Sequence, residues 1–243
     1  MSVAVVGQFA AFGASHLAVL VVTVLGAAAL IVLGRRRDER FLQHTRRLLA
    51  GAVLAVNVIS EIRLLDPAHL AGTIPLELSD VAPYFAAWAL WSRRQWAYGL
   101  TYFWCLTLSS QALLTPALAG ADFPSANFLL FFTNHVLVVW AAVFLTWGLR
   151  MRPRWRDYAM TVAATLCWAV PTAIFNALAG TNYGYLNAKP PATSLLDVLG
   201  PWPLYLIEEV AAVLTIWALL TVVWARNRRP RPAPTSSPPL TRP

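Results

Sequence analysis

Apolar runs of about twenty residues alternate along this chain with short clusters of arginine. A helix needs roughly 20 mostly apolar residues to cross the ~30 Å hydrocarbon of a bilayer. Residues 12–33, 45–65, 74–91, 96–115, 127–149, 157–178 and 201–225 come close to or meet that length, the third being the least apolar. The first run has no basic segment before it and ends in Arg35-Arg36-Arg37, the pattern of a retained span rather than a cleaved signal. The predicted fold is therefore all-α, a polytopic bundle of seven transmembrane helices over residues 1–225. Residues 226–243, RNRRPRPAPTSSPPLTRP, have little apolar surface to bury and are expected to be a disordered, basic, proline-rich cytoplasmic tail. No internal repeat is visible, which gives an inverted-repeat transporter no support.

Polar residues interrupt every run, and they do so at similar depth. In order they are His16, Asn57 with Glu61, Glu77 with Asp80, Gln111, His135, Asn176 and Glu208. At ~1.5 Å rise per residue, His16 lies roughly 6 Å, His135 roughly 12 Å and Glu208 roughly 10 Å from one end of their runs. Asn57, Glu61, Gln111 and Asn176 reach the same half from runs of opposite direction. Pairs spaced three or four apart, Asn57/Glu61 and Glu77/Asp80, share a helix face. Ionisable groups are costly in hydrocarbon and usually face a bundle interior or wet cavity. The layer thus predicts a shared polar chamber. The plainer alternative is a set of interhelical hydrogen bonds, each worth about a kcal/mol or less.

Charge orients the runs. Seventeen of the 19 Lys and Arg fall after the first, third, fifth and seventh runs, leaving Arg63 and Lys189 at the other ends. The positive-inside rule then puts the N-terminus outside, the C-terminus in the cytoplasm and the polar layer in the outer half. Composition agrees, with 58% hydrophobic and 12% charged residues and a mean hydropathy of +0.57. The net charge of +8 sits in loop clusters, not along one face, which argues against nucleic acid as a partner. Membrane lipid is the expected partner, and oligomeric state stays open. Cys105 and Cys167 lie inside apolar runs and read as small buried hydrophobes. No Cys/His spacing suggests a metal, and no cofactor is expected.

Acyl transfer needs a hydroxyl or thiol, a base within hydrogen-bond reach and an orienting acid. Ser79 as nucleophile, His135 as base and Glu77 or Asp80 as acid supply those types in one layer. The 181–205 segment between the last two runs is aromatic and stiffened by proline, a candidate lid. There Asn182, Tyr183 and Lys189 are candidate substrate ligands, with Lys189 free either to hold an anion or to balance Asp197. Gln111, Asp197 and Glu208 are further substrate-binding candidates, and His16, Asn57, Glu61 and Asn176 line the expected chamber.

Several strings carry a family resemblance: Gln111-Ala112-Leu113-Leu114-Thr115-Pro116, Phe131-Phe132-Thr133-Asn134-His135, Asn182-Tyr183-Gly184-Tyr185-Leu186 with Lys189-Pro190, and Ser194-Leu195-Leu196-Asp197 before Gly200-Pro201-Trp202-Pro203. In this order they resemble the YwaF-type bacterial integral membrane proteins, across nearly the whole chain. That family is similar to eukaryotic TMEM-type proteins implicated in acyl transfer on ether phospholipids through a Cys and a His. The resemblance implies a multi-pass protein of the bacterial plasma membrane and matches His135 to the family histidine. It also implies His and Cys where this chain has Glu77 and Ser79. A serine hydroxyl is far less acidic than a thiol and needs stronger base assistance. The functional expectation is a lipid acyltransferase or hydrolase; a transporter or permease, or a ligand-binding membrane protein without catalysis, is the alternative.

Overall fold

Helices occupy every apolar run. The computed structural model describes residues 7–36, 38–190 and 194–226, so the expectation for residues 227–243 lies outside the described residues. In chain order the helices are α1 Ala14–Gly34, α2 Glu39–Leu64, α3 Leu78–Ser92, α4 over residues 95–114, α5 Ala126–Gly148, α6 Trp155–Ala179 and α7 Leu204–Arg226. Among the described residues no strand forms beyond one antiparallel bridge, Gln8 with Ala121.

Local sequence explains the ends. The Asp38 carboxylate accepts from the Arg40 and Phe41 N–H groups at the start of α2, and the Ser125 hydroxyl accepts from Phe128 N–H at the start of α5. Gly180, at φ +68°, closes α6 in the left-handed conformation that a side chain disfavours. Between α2 and α3 the chain turns through Pro67–His69 and Leu70–Thr73, where the His69 Nδ1 and an Asp66 carboxylate oxygen lie at hydrogen-bond distance, 2.8 Å. The His69 ring and the Ala68 N–H hold the Asp66 carboxyl below the usual carboxylate range.

Helices α1, α5, α6 and α7 are each long and apolar enough to cross a membrane, and α2 with its continuation Pro67–Thr73, bent by 75°, makes a fifth. Helix α3 has only 15 residues, about 22 Å, and α4 is diluted by Thr101, Thr107, Ser109, Ser110 and Gln111. The architecture is an all-α multi-pass membrane protein with four to five candidate spans rather than seven of equal strength. Apolar residues such as Val21, Leu25, Ile174, Leu178, Ile207 and Leu219 point outward, as hydrocarbon-facing helices require.

The core lies among α2, α3, α4 and α5. Val53, Ala86, Ala89, Leu90, Ala97, Tyr98, Phe103 and Phe144 are fully buried there. Small residues on α3 let backbones approach, as membrane helix packing favours. Alpha-helical winding gives way to π-helical turns at Cys105–Ser109 and Phe144–Gly148. The first of these presents Thr107, whose hydroxyl receives the Trp217 indole N–H from α7 at 3.2 Å. Cys105 is buried as expected, but Cys167 is exposed on α6, because its helix packs through another face.

Candidate functional site

The polar layer divides unevenly. Asn57 on α2 is its hub, and its orientation is set by what it touches. The Asn57 Nδ2 donates to Glu61 Oε1 at 2.7 Å and to the Asp80 carbonyl at 3.2 Å, both of which can only accept. Its Oδ1 therefore faces α5, where Asn134 Nδ2 donates to it at 3.3 Å. That leaves Asn134 Oδ1 buried with no hydrogen-bond partner among the described residues. The second Glu61 oxygen accepts from the Tyr84 hydroxyl on α3 at 2.6 Å. Both Glu61 carboxylate oxygens are thus taken by Asn57 and Tyr84, and among the described residues Arg63 makes no ion pair with them.

The network continues through the start of α3. An Asp80 carboxylate oxygen accepts from Glu77 N–H at 2.9 Å, fastening the first helical turn. Glu77 Oε2 in turn accepts from Gly184 N–H at 2.9 Å, joining α3 to the loop after α6. Asn176, near the end of α6, holds that loop through its oxygen on Tyr183 N–H and its nitrogen on Tyr183 C=O, both at 2.9 Å. The Tyr183 hydroxyl donates to Ala71 C=O at 3.0 Å. Burial, with the nearby Glu77 and Asp80 carboxylates, pushes its phenol above the ordinary range and keeps the proton needed for that bond. Trp168 on α6 closes the seam: its indole donates to Leu76 C=O at 2.9 Å, and its ring lies so close to Gly184 that a Cβ there would stand 2.4 Å away.

One hydrogen-bonded chain thus joins six of the expected residues, Asn57, Glu61, Glu77, Asp80, Asn176 and Tyr183, with three more: Asn134, Tyr84 and Gly184. Asn134 precedes His135 and Tyr84 follows Asp80 by one helical turn, so residue spacing alone carried a signal for both.

The proposed catalytic pair is less closely joined. The His135 ring is buried against Phe131, with centroids 4.5 Å apart, and its Nδ1 lies 2.8 Å from the Phe131 carbonyl. Ser79 is half-buried in the first turn of α3. Among the described residues no hydrogen bond links Ser79 to His135, and the Ser79 hydroxyl makes none at all.

The remaining candidates sit apart from the network. His16 is wholly buried in a nest with Phe9 and Phe132. Its Nδ1 accepts from Phe12 N–H at 2.8 Å, so the proton resides on Nε2, which meets Leu113 C=O at 2.7 Å. Both ring nitrogens are occupied by the fold. Gln111 makes no side-chain hydrogen bond among the described residues. Glu208 accepts from Gly200 N–H at 2.7 Å and organises the entry to α7. Lys189 donates to Leu199 C=O at 2.7 Å and lies over the Tyr205 ring, while Asp197 accepts from Ser194 N–H at 2.7 Å, so the two do not pair. Asn182 accepts from the N–H groups of Asn187 and Ala188, both at 3.0 Å, and shapes the loop. The expected single chamber is therefore one network plus separate local bonds, because in hydrocarbon each polar group takes the nearest backbone partner. Among the described residues no three His, Cys, Asp or Glu side chains converge as metal ligands would.

No solved structure matches this chain. An uncharacterized protein of Treponema pallidum (strain Nichols) is 29% identical over 217 residues, covering 88% of this chain and 89% of that protein. These matches bear on the TMEM-type part of the resemblance and not on the YwaF-type label. The family model described as the TMEM164 family matches residues 11–221, nearly the whole helical region with its polar network, and the chain belongs to that family.

Proposed function

We propose that this protein is a seven-span enzyme of the bacterial plasma membrane, with its N-terminus outside, that transfers or hydrolyses acyl groups of phospholipid. Ser79 is the nucleophile, His135 the general base, and Glu77 or Asp80 the orienting acid. Tyr183 and the 181–190 loop hold the headgroup side of the substrate. One observation carries the reading: the hydrogen-bonded chain Asn134–Asn57–Asp80 ties the turn of α5 that bears His135 to the turn of α3 that bears Ser79. The half-buried Ser79 hydroxyl, without a hydrogen bond among the described residues, leaves a polar group available to a substrate.

A second reading, phospholipid binding without chemistry, is favoured by the missing Ser79–His135 hydrogen bond. Turnover of radiolabelled phospholipid by the full chain in proteoliposomes separates the two. The enzyme reading expects Ser79→Ala and His135→Ala to abolish turnover while the protein stays folded. Full turnover in either variant overturns it, and lipid retained without product at any stage supports binding alone.

A further inference from the structure

At the opposite end of the molecule the turns α1–α2, α3–α4 and α5–α6 meet around a cavity of about 190 Å³. That is far larger than the ~30 Å³ share of one liquid water. Arg35, Arg36, Arg46, Arg93 and Arg150 line it, and Glu39 is the one acid among the described lining residues. Its floor is a point where α1 and α5 touch backbone to backbone, since a Cβ on Gly34 would stand 2.5 Å from Gly148 Cα. Along α2 the cavity is roughly 20 Å from the Asn57–Glu61 layer, so it is a separate site.

The positive-inside rule accounts for arginines in these loops, but not for their convergence on one void. Arg46 donates from one nitrogen to Leu90 C=O at 3.0 Å and Trp91 C=O at 3.3 Å, and among the described residues its other N–H groups make no hydrogen bond. Among the described residues, none of the five guanidinium groups makes an ion pair with a carboxylate. Five cations around one anion repel each other, and a cleft of one sign concentrates counter-ions. A second observation is independent of charge. Arg93 and Arg150 sit at φ +54° and +60°, the left-handed region where glycine is favoured and other side chains carry a backbone cost. At both positions an arginine stands where the backbone would favour glycine.

We infer that this cavity binds a phosphate-bearing anion, gripped by the guanidinium forks of Arg93, Arg150 and Arg46. Planar guanidinium matches phosphate oxygens two at a time. The apolar Leu42 and Leu149 also line the cavity and pack into the core beneath it, so the cavity caps that end of the helix bundle. The anion is a phospholipid headgroup or free phosphate, and these share the recognition chemistry.

The test uses the full chain in maltoside micelles, which carry no phosphate, titrated separately with inorganic phosphate and with short-chain phosphatidylglycerol while thermal unfolding is followed. Saturable stabilisation is expected, weakening as salt is raised. A response to phosphate alone identifies the free anion as sufficient, and a response to lipid alone identifies the headgroup. The double variant Arg93→Gly with Arg150→Gly removes two charges and suits the left-handed backbone, so it should fold and bind roughly tenfold to thirtyfold more weakly. Arg63→Gln, at the other end of α2, should bind as the parent does. Glu39→Gln, which removes the opposing charge, should bind more tightly. Absence of a response to both ligands overturns the inference. So does a double variant that binds as tightly as the parent, or, if that variant does not fold, an unchanged affinity in Glu39→Gln.

Discussion

Asn134 on α5 donates its side-chain N–H to the side-chain oxygen of Asn57 on α2 across 3.3 Å, while its own buried oxygen meets no donor among the described residues. The pair is unequal. Asn57 serves Glu61, the Asp80 carbonyl and Asn134, whereas Asn134 serves Asn57 alone. Such a hub orders three helices with groups that elsewhere in hydrocarbon would be unpaired.

Asn57→Ala should therefore cost about 1–3 kcal/mol, and Asn134→Ala about 1 kcal/mol or less. Reversible unfolding in mixed detergent micelles measures both. The double variant should lose less than the sum by about 0.5–1 kcal/mol, because one bond is counted twice. Strict additivity would show that the amides are not coupled.

Gly184 stands at φ +65° with the Trp168 ring where a Cβ would go. Gly184→Ala combines left-handed strain with overpacking, and should cost about 2–4 kcal/mol. Hydrogen exchange in residues 180–190 should rise with it, since the Glu77 carboxylate would lose its Gly184 N–H donor. Unchanged exchange would mean that the Asn176, Tyr183 and Asn182 bonds hold the loop without the Gly184–Glu77 contact.

Glu77 separates a structural role from a chemical one. Glu77→Gln keeps an oxygen for Gly184 N–H and should change stability by less than about 0.5 kcal/mol, whereas Glu77→Ala leaves that N–H unpaired and should cost about 1–3 kcal/mol. Unfolding measurements on the two variants, paired with phospholipid turnover, give the answer. If Glu77 orients the catalytic base, the glutamine variant loses turnover without losing stability.

Gly26 on α1 receives the Trp140 ring of α5, whose indole N–H donates to Thr23 C=O at 2.8 Å. A Cβ on Gly26 would stand 2.0 Å from that ring, so Gly26→Ala should destabilise by about 1–3 kcal/mol. Trp140→Phe should suppress most of the penalty in the double variant, because the smaller ring vacates the space. A melting temperature for Gly26→Ala equal to that of the parent would contradict the close packing.

The all-α class and the helix positions were legible because apolar length is a one-dimensional property. The α5, α6 and α7 boundaries fall within three residues of their apolar runs, whereas α2 starts six residues before its run, at Glu39, where the Asp38 side chain caps a polar first turn. Depth was legible too, since rise per residue places Asn57, Glu61, Glu77, Asp80 and Asn176 in one layer. The third run, the least apolar in the sequence, is also the weakest span in the structure, where α3 has 15 residues, fewer than the roughly 20 that a straight crossing needs.

Direction around each helix was decided only by tertiary structure. His16 and His135 look alike in sequence, yet one is consumed between Phe12 and Leu113 while the other retains an unbonded nitrogen. Lys189 and Asp197 look like a pair, yet each turns to a backbone group of its own loop. The partner that Asn134 meets on α2, and the convergence of five arginines on one cavity, depend on several helices meeting at particular rotations, which residue spacing along any one helix does not encode. Periodicity says which residues share a face; the partner that face meets is chosen by packing among all the helices at once.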